Sequence, residues 1–337
     1  MATPPPLRFG VIGCGGMAQQ VHVPNMAAID GAATVAYCDI DVSKAQALLD
    51  RHGGEYATAD AGAIFSDPSI DGVLIQVGPA QHPALVQAAA RAGKHLFVEK
   101  PLAIELSDAL ETARVVEASG VRFIFGVCNR LAPMVKLAKR MCPHPLYSFC
   151  QCTDTVTGQA CHNIDLAVNL FHEAPLARVY ASGGQRWNLD PHLSADSFSA
   201  TLTFADGSVF TYLQHGRAYN ALLKKYHFQL FGQDHCVYLA RRFKECHLMR
   251  NLNEVENSWV FAGADFDRGP HGYMGHYDEL KELVDCIRHG GQGTMTVRDG
   301  VVILAVEKAI LRSIETGQVV DFPHFMAEHG MAPPGGA

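Results

Sequence analysis

Short β-rich runs alternate with helical segments over the first 127 residues, and this alternation limits the fold more than any other feature of the chain. The runs are "RFGVIG" (8–13), "ATVAYCD" (33–39), "GVLIQV" (72–77), "HLFVE" (95–99) and "RFIFGV" (122–127). Between them lie "GMAQQVHVPNMAA", "SKAQALLDRHG", "PALVQAAARAG" and "ELSDALETARVVEASG". The last two run into Gly93 and Gly120, where a helix would stop. Strands that are apolar throughout, separated by helices, predict a parallel sheet covered on both faces. The expected first domain is therefore a doubly wound α/β unit of the Rossmann type.

Beyond residue 127 the texture changes. Strand-like segments such as "LYSFCQCT" (146–153), "DSFSATLTFADGSVFTYLQHG" (196–216) and "KYHFQLFGQDHCVYLA" (225–240) follow one another with tight turns at "ADG" and "GQD". Such a series predicts an antiparallel sheet. Two helices close the chain: "DELKELVDCIRHG" ends at Gly290, and the last starts with Thr296 and Asp299 at capping-box spacing and stops at Gly317. A length of 337 residues exceeds most single cores. We therefore expect two domains, 1–127 and 128–337, the second α/β with a mostly antiparallel sheet.

Composition removes several function classes. The net charge is −7 with no dense basic patch, which argues against a nucleic-acid partner. No apolar run approaches the ~18 residues of a membrane span. The start "MATPPPLRFG" does not read as a secretion signal, so a cytoplasmic location is expected. The ten cysteines include no C-x-x-C pair, so no metal is expected and they read as small buried hydrophobes.

"GVIGCGGMA" fits G-x-G-x-x-A with Gly13, Gly15 and Ala18; Gly16 and Met17 complete the turn. Gly13 permits a sharp bend, Gly15 lets the backbone approach a pyrophosphate, and Ala18 keeps the helix close to the sheet. The helix N-terminus then offers free N–H groups to phosphate. "YCD" places Asp39 at the end of the next run, about 20 residues on, where an acidic residue holds a ribose 2′-hydroxyl. A carboxylate there repels a 2′-phosphate, so the expected cofactor is NAD, with NADP as the alternative. Asp41 rivals Asp39 for the role.

"HLFVEKPL" puts Glu99 and Lys100 at a strand's carboxyl end, and ligands of parallel sheets bind outside those ends. Both charges are thus expected at a dinucleotide site rather than in a core. Pro101 forces Lys100 into extended geometry and opens the bond between them to the cis form. A surface ion pair is the competing reading.

With these motifs in order, the sequence resembles the glucose–fructose oxidoreductase/inositol dehydrogenase family (Gfo/Idh/MocA). "VGPAQHPALVQAAARAGKHLFVEKPLA" is similar to the family's T-P-N-x-x-H loop, helix and E-K-P, with Pro79 and His82 kept and Gly78 and Ala80 replacing Thr and Asn. "GVCNRLAP" resembles G-x-N-x-R-x-x-P, carried by Asn129, Arg130 and Pro133, and "CHNID" supplies His162 and Asp165. The resemblance implies a large open sheet in the second domain, pairing subunits into a homodimer or homotetramer. It also implies oxidation or reduction of a carbinol in a sugar or cyclitol with NAD(P). By resemblance Gly78, Pro79, His82, Glu99, Lys100 and Asn129 contact the cofactor, while Lys100, Arg130, His162 and Tyr277 contact substrate.

"GQACHNIDLAVNLF" reads as a helix starting near Cys161, with His162 and Asp165 on one face. The expected chemistry has His162 as proton acceptor, Asp165 fixing its tautomer, and Lys100 stabilising the alkoxide. "HGYMGHYDEL" (271–280) adds His271, Tyr273, His276 and Tyr277 as weaker candidates. The place four before the histidine, often aspartate in polyol dehydrogenases of the family, holds Gly158. That departure keeps two alternatives open: a glycosidase or lyase using transient NAD redox, and a nucleotide-sensing regulator.

Overall fold

The computed structural model describes residues 4–154, 156–188, 195–216, 226–250, 255–260 and 272–331. The chain forms two compact units: residues 1–128 with 266–301, and residues 129–265 with 302–337. Residues 272–301 thus group with the N-terminal stretch.

In the first unit, β1 (Leu7–Ile12), β2 (Ala32–Cys38), β3 (Tyr56–Thr58), β4 (Gly72–Ile75), β5 (His95–Glu99) and β6 (Phe123–Gly126) form one sheet in the order β3-β2-β1-β4-β5-β6. All its pairings are parallel. Phe9, Val11, Val73, Leu74, Leu96, Phe97 and Val98 are fully buried, as the unbroken apolar runs require. The segment after the glycine turn is not one regular helix: a π-helical turn, Ala18–His22, leads into α1 (Val23–Ala27). Then come α2 (Val42–His52), α3 (Ala61–Ser66), α4 (His82–Arg91) and α5 (Leu106–Ser119). Gly120 ends α5 in the left-handed conformation, φ 71°.

The second unit holds α6 (Pro133–Met141), β7 (Tyr147–Thr153), α7 (Val156–Asp165), β8 (Leu176–Gly184), β9 (Ser197–Phe204), β10 (Val209–His215), β11 (Tyr226–Phe231), β12 (Cys236–Ala240), β13 (Glu245–Met249) and β14 (Val255–Val260). In the first unit α8 (His276–His289) packs on β5, β6 and α1. α9 (Val297–Thr316), β15 (Val320–Asp321) and α10 (Phe322–Glu328) end the chain. The capping box at the start of α9 forms as the sequence predicts: Thr296 N–H donates to Asp299 Oδ2 at 2.7 Å and Asp299 N–H to Thr296 Oγ1 at 3.2 Å.

The second sheet has nine strands in the order β14-β13-β12-β11-β7-β10-β9-β8-β15, antiparallel except for β7 and β10. Burial alternates along β9 and β10, so one face is core and the other is more open. Cys150 and Cys152 lie on the buried side of β7. None of the ten cysteines is in a disulfide, and only Cys236 is not buried.

Candidate active site

The first unit builds a cleft at the carboxyl ends of its strands. Gly13 follows β1 with φ +91°, and a Cβ there would sit 2.5 Å from the Gln76 carbonyl oxygen. Only glycine satisfies both constraints. At Gly15 and Gly16 the opposite holds: no atom lies within 4 Å of where a Cβ would be, which leaves an open cradle beside the backbone. Ala18 is fully buried and Met17 is 39% exposed, so the turn presents backbone outward and packs its alanine inward. Asp39 braces this turn: Cys14 N–H donates to Oδ2 at 2.8 Å and Asp41 N–H to Oδ1 at 2.9 Å. The sequence rival, Asp41, is spent instead on capping α2 through Ser43 N–H.

The cleft holds about 700 Å³ and is lined by Gly13, Gly15, Asp39, Ile40, Gln76 and Gly78, among others. Gln76 is the residue the sequence analysis missed. Both atoms of its side-chain amide are shielded and lack a hydrogen-bond partner, an arrangement that a polar ligand in the cleft would relieve. Its signal was a single amide closing the apolar run "GVLIQV". The open cradle, the braced carboxylate and this amide together fit a dinucleotide. His82 is fully buried, with Nδ1 2.6 Å from the Pro101 carbonyl oxygen. It ties the start of α4 to the segment after β5, while the neighbouring Pro79 is half-buried. Burial pushes the His82 imidazole down, which keeps it neutral.

At the end of β5 the two charges separate. Successive strand residues point to opposite faces, so Glu99 shares a face with Phe97 and not with Lys100. Glu99 is 7% exposed, and its Oε1 lies 2.7 Å from His22 Nε2. The His22 ring also packs on Phe97, with centroids 4.8 Å apart. The Glu99 carboxylate thus turns inward to His22. Lys100 is half-buried, and the Lys100–Pro101 bond is cis. Tyr277 lies half-buried in the first turn of α8, whereas His276 beside it is buried. His271 lies outside the described residues.

The second unit carries the histidine helix. α7 begins at Val156, so His162 and Asp165 sit in its last turn rather than its first, and a π-helical turn, Leu166–Phe171, continues it. His162 is 6% exposed, and the adjacent Asn163 donates Nδ2–H to Tyr212 Oη at 3.2 Å. Asp165 is fully buried and is gripped by Arg130: Nε donates to Oδ2 at 2.7 Å, and a second guanidinium nitrogen donates to Oδ1. Asn169 Nδ2 adds a bond to Oδ1 at 3.0 Å. Asp165 thus anchors Arg130, a partner the three-residue spacing from His162 did not suggest. Asn129, beside it, is buried.

Residues 7–127 match the oxidoreductase family with an NAD-binding Rossmann fold, GFO_IDH_MocA. Over 330 residues the chain is 36% identical to myo-inositol 2-dehydrogenase of Thermotoga maritima, an alignment spanning 92% of this chain and 96% of that protein. The chain belongs to the Gfo/Idh/MocA family. The matched NAD-binding Rossmann region lies within the first unit described above. A shorter match, 34% over 130 residues, links it to the oxidoreductase YrbE of Bacillus subtilis and spans 39% of this chain and 38% of that protein. Among solved structures, levoglucosan dehydrogenase in complex with NADH and L-sorbose shares the fold, with TM-score 0.82 and 21% identity over 95% of this chain and all of that one. As a Gfo/Idh/MocA member the protein is an NAD-binding oxidoreductase. No described helix is long and apolar enough to cross a membrane.

Proposed function

We propose that this oxidoreductase interconverts a carbinol and a ketone on a sugar, sugar derivative or cyclitol, with NAD as the redox partner. The observation that carries the reading is the cleft of the first unit, whose glycine cradle and braced Asp39 are suited to a dinucleotide with a free ribose. A carboxylate at that point favours NAD over NADP. Bound nicotinamide supplies the electron-pair acceptor. His162 takes the proton of the substrate hydroxyl, which an imidazole near neutrality does well. The Lys100 ammonium stabilises the alkoxide that forms, a role that in a dry site contributes a few kcal/mol. Asp165 anchors Arg130 through both carboxylate oxygens. Relatives named for inositol support the cyclitol and sugar class. The less buried face of the nine-stranded sheet, where the rings of Phe149, His227, Tyr238 and His247 lie against one another in turn across β7, β11, β12 and β13, is proposed to pair with a second copy.

An NADH absorbance screen over sugars, sugar acids and cyclitols tests the reading. Lys100→Met is expected to lower kcat on the substrate found by about 10²–10³, with NADH affinity measured by fluorescence nearly unchanged. A variant that keeps most of its turnover removes Lys100 from the mechanism.

A further inference from the structure

Behind Lys100 lies a buried chain of titratable groups that the proposed reaction does not use. Glu99 accepts two hydrogen bonds, one from His22 Nε2–H at 2.7 Å and one from the Lys100 backbone N–H at 3.1 Å. The other His22 ring nitrogen, Nδ1, has no hydrogen-bond partner and lies 4.0 Å from Glu279 Oε1. Glu279 Oε1 is in turn 3.1 Å from His276 Nδ1, and His276 Nε2 is 3.6 Å from Cys128 Sγ. His22 and Glu279 are fully buried, and His276 is 8% exposed. These residues come from the first helical turn, the end of β5, the start of α8 and, for Cys128, the turn after β6, all within the first unit.

Burying two carboxylates and two imidazoles is costly unless they serve one another. An apolar cluster against Phe97 would have filled the space. What the polar chain adds is a fixed carboxylate whose second oxygen holds the main chain of Lys100. The protons distribute accordingly. Burial pushes the Glu99 carboxyl up, but the hydrogen bond and charge from His22, with Lys100 and His276, outweigh it and hold it well below the usual range. Burial, with Glu99, Glu282 and Asp278 nearby, pushes Glu279 well above the usual range despite His22. Glu99 thus carries the charge, Glu279 keeps its proton, and His22 donates through Nε2.

We propose that His22 is a positioning residue: by donating Nε2–H to Glu99 it locks the carboxylate that holds the Lys100 backbone, and so sets where the ammonium projects. The inference rests on the reading of Lys100 as the alkoxide-stabilising cation. The charged or titratable groups facing Glu99 are His22, Lys100 on its own strand end, His276 and Glu279 from α8, and His82 from α4.

The test compares His22→Leu with His22→Gln, whose Nε2 can reach the place of the imidazole Nε2. His22→Leu is expected to lower kcat about 10–100-fold, the effect of a misplaced catalytic group, with NADH affinity within about twofold of wild type. It should also add an acid limb to the kcat–pH profile, because Glu99 loses the bond that keeps it ionised. His22→Gln should restore most of kcat. Hydrogen exchange at the Lys100 amide, followed by NMR, needs no substrate. It should quicken about tenfold or more in His22→Leu and stay slow in His22→Gln. If His22→Leu does not fold, His22→Asn, which leaves the Nε2 position empty, takes its place. Unchanged amide exchange overturns the proposal, as does equal damage to kcat in both variants. Faster exchange in His22→Leu, when the wild-type protein turns over no carbinol, instead supports the positioning and removes the dehydrogenase reading.

Discussion

Replacing Arg130 by methionine separates two roles that the family motif leaves joined. The side chains of Arg130 and Asp165 are 8% and 0% exposed, and the guanidinium bonds both carboxylate oxygens. Deleting one partner of such a pair leaves the other charged in the core, at a cost of about 3–5 kcal/mol. For a domain of 150–250 residues each kcal/mol lowers Tm by about 2–4 °C. Arg130→Met should therefore lower the melting temperature by about 6–20 °C. The double variant Arg130→Met/Asp165→Leu should recover most of that loss, since removing both charges together is close to neutral. The assay is thermal unfolding of the four members of the cycle at one pH and salt concentration. A refuting result is an Arg130→Met protein that melts within about 2 °C of wild type while its KM for substrate rises sharply. The guanidinium would then serve the ligand rather than the pair.

Two further predictions concern buried polar groups. His172 sits between Ser148 Oγ at 2.7 Å and Ser208 Oγ at 2.9 Å, stacked on Phe204, and burial pushes its imidazole down to about 4. Its folded value is below the unfolded one, so it stabilises fully above about pH 6.5 and loses that contribution as pH falls toward 4, in all about 3 kcal/mol. His172→Asn should flatten the stability–pH curve over that interval in urea unfolding; an unchanged slope counts against the assignment. For Gln76, an apolar replacement removes two unsatisfied buried atoms. Gln76→Leu should raise Tm or leave it unchanged while weakening NAD binding about tenfold by calorimetry; unchanged affinity removes Gln76 from the cofactor site.

The sequence by itself determined what depends on near neighbours in the chain. The apolar runs fixed five strands of the parallel sheet within a residue or two, and the glycine turn was readable because Gly13 answers to local backbone geometry. The capping box of α9 was legible for the same reason. β3, β14 and β15 were not, being short or polar strands that exist only because a neighbour supplies hydrogen bonds. Tertiary structure alone decided that α8 covers the first sheet, since an amphipathic helix records that it has a buried face but not what buries it. It also decided the partners of the charges. Glu99 meets His22 across 77 positions, and Asp165 meets Arg130 across 35. A buried charge must find a partner in space, and sequence spacing is silent on which residue the fold will bring.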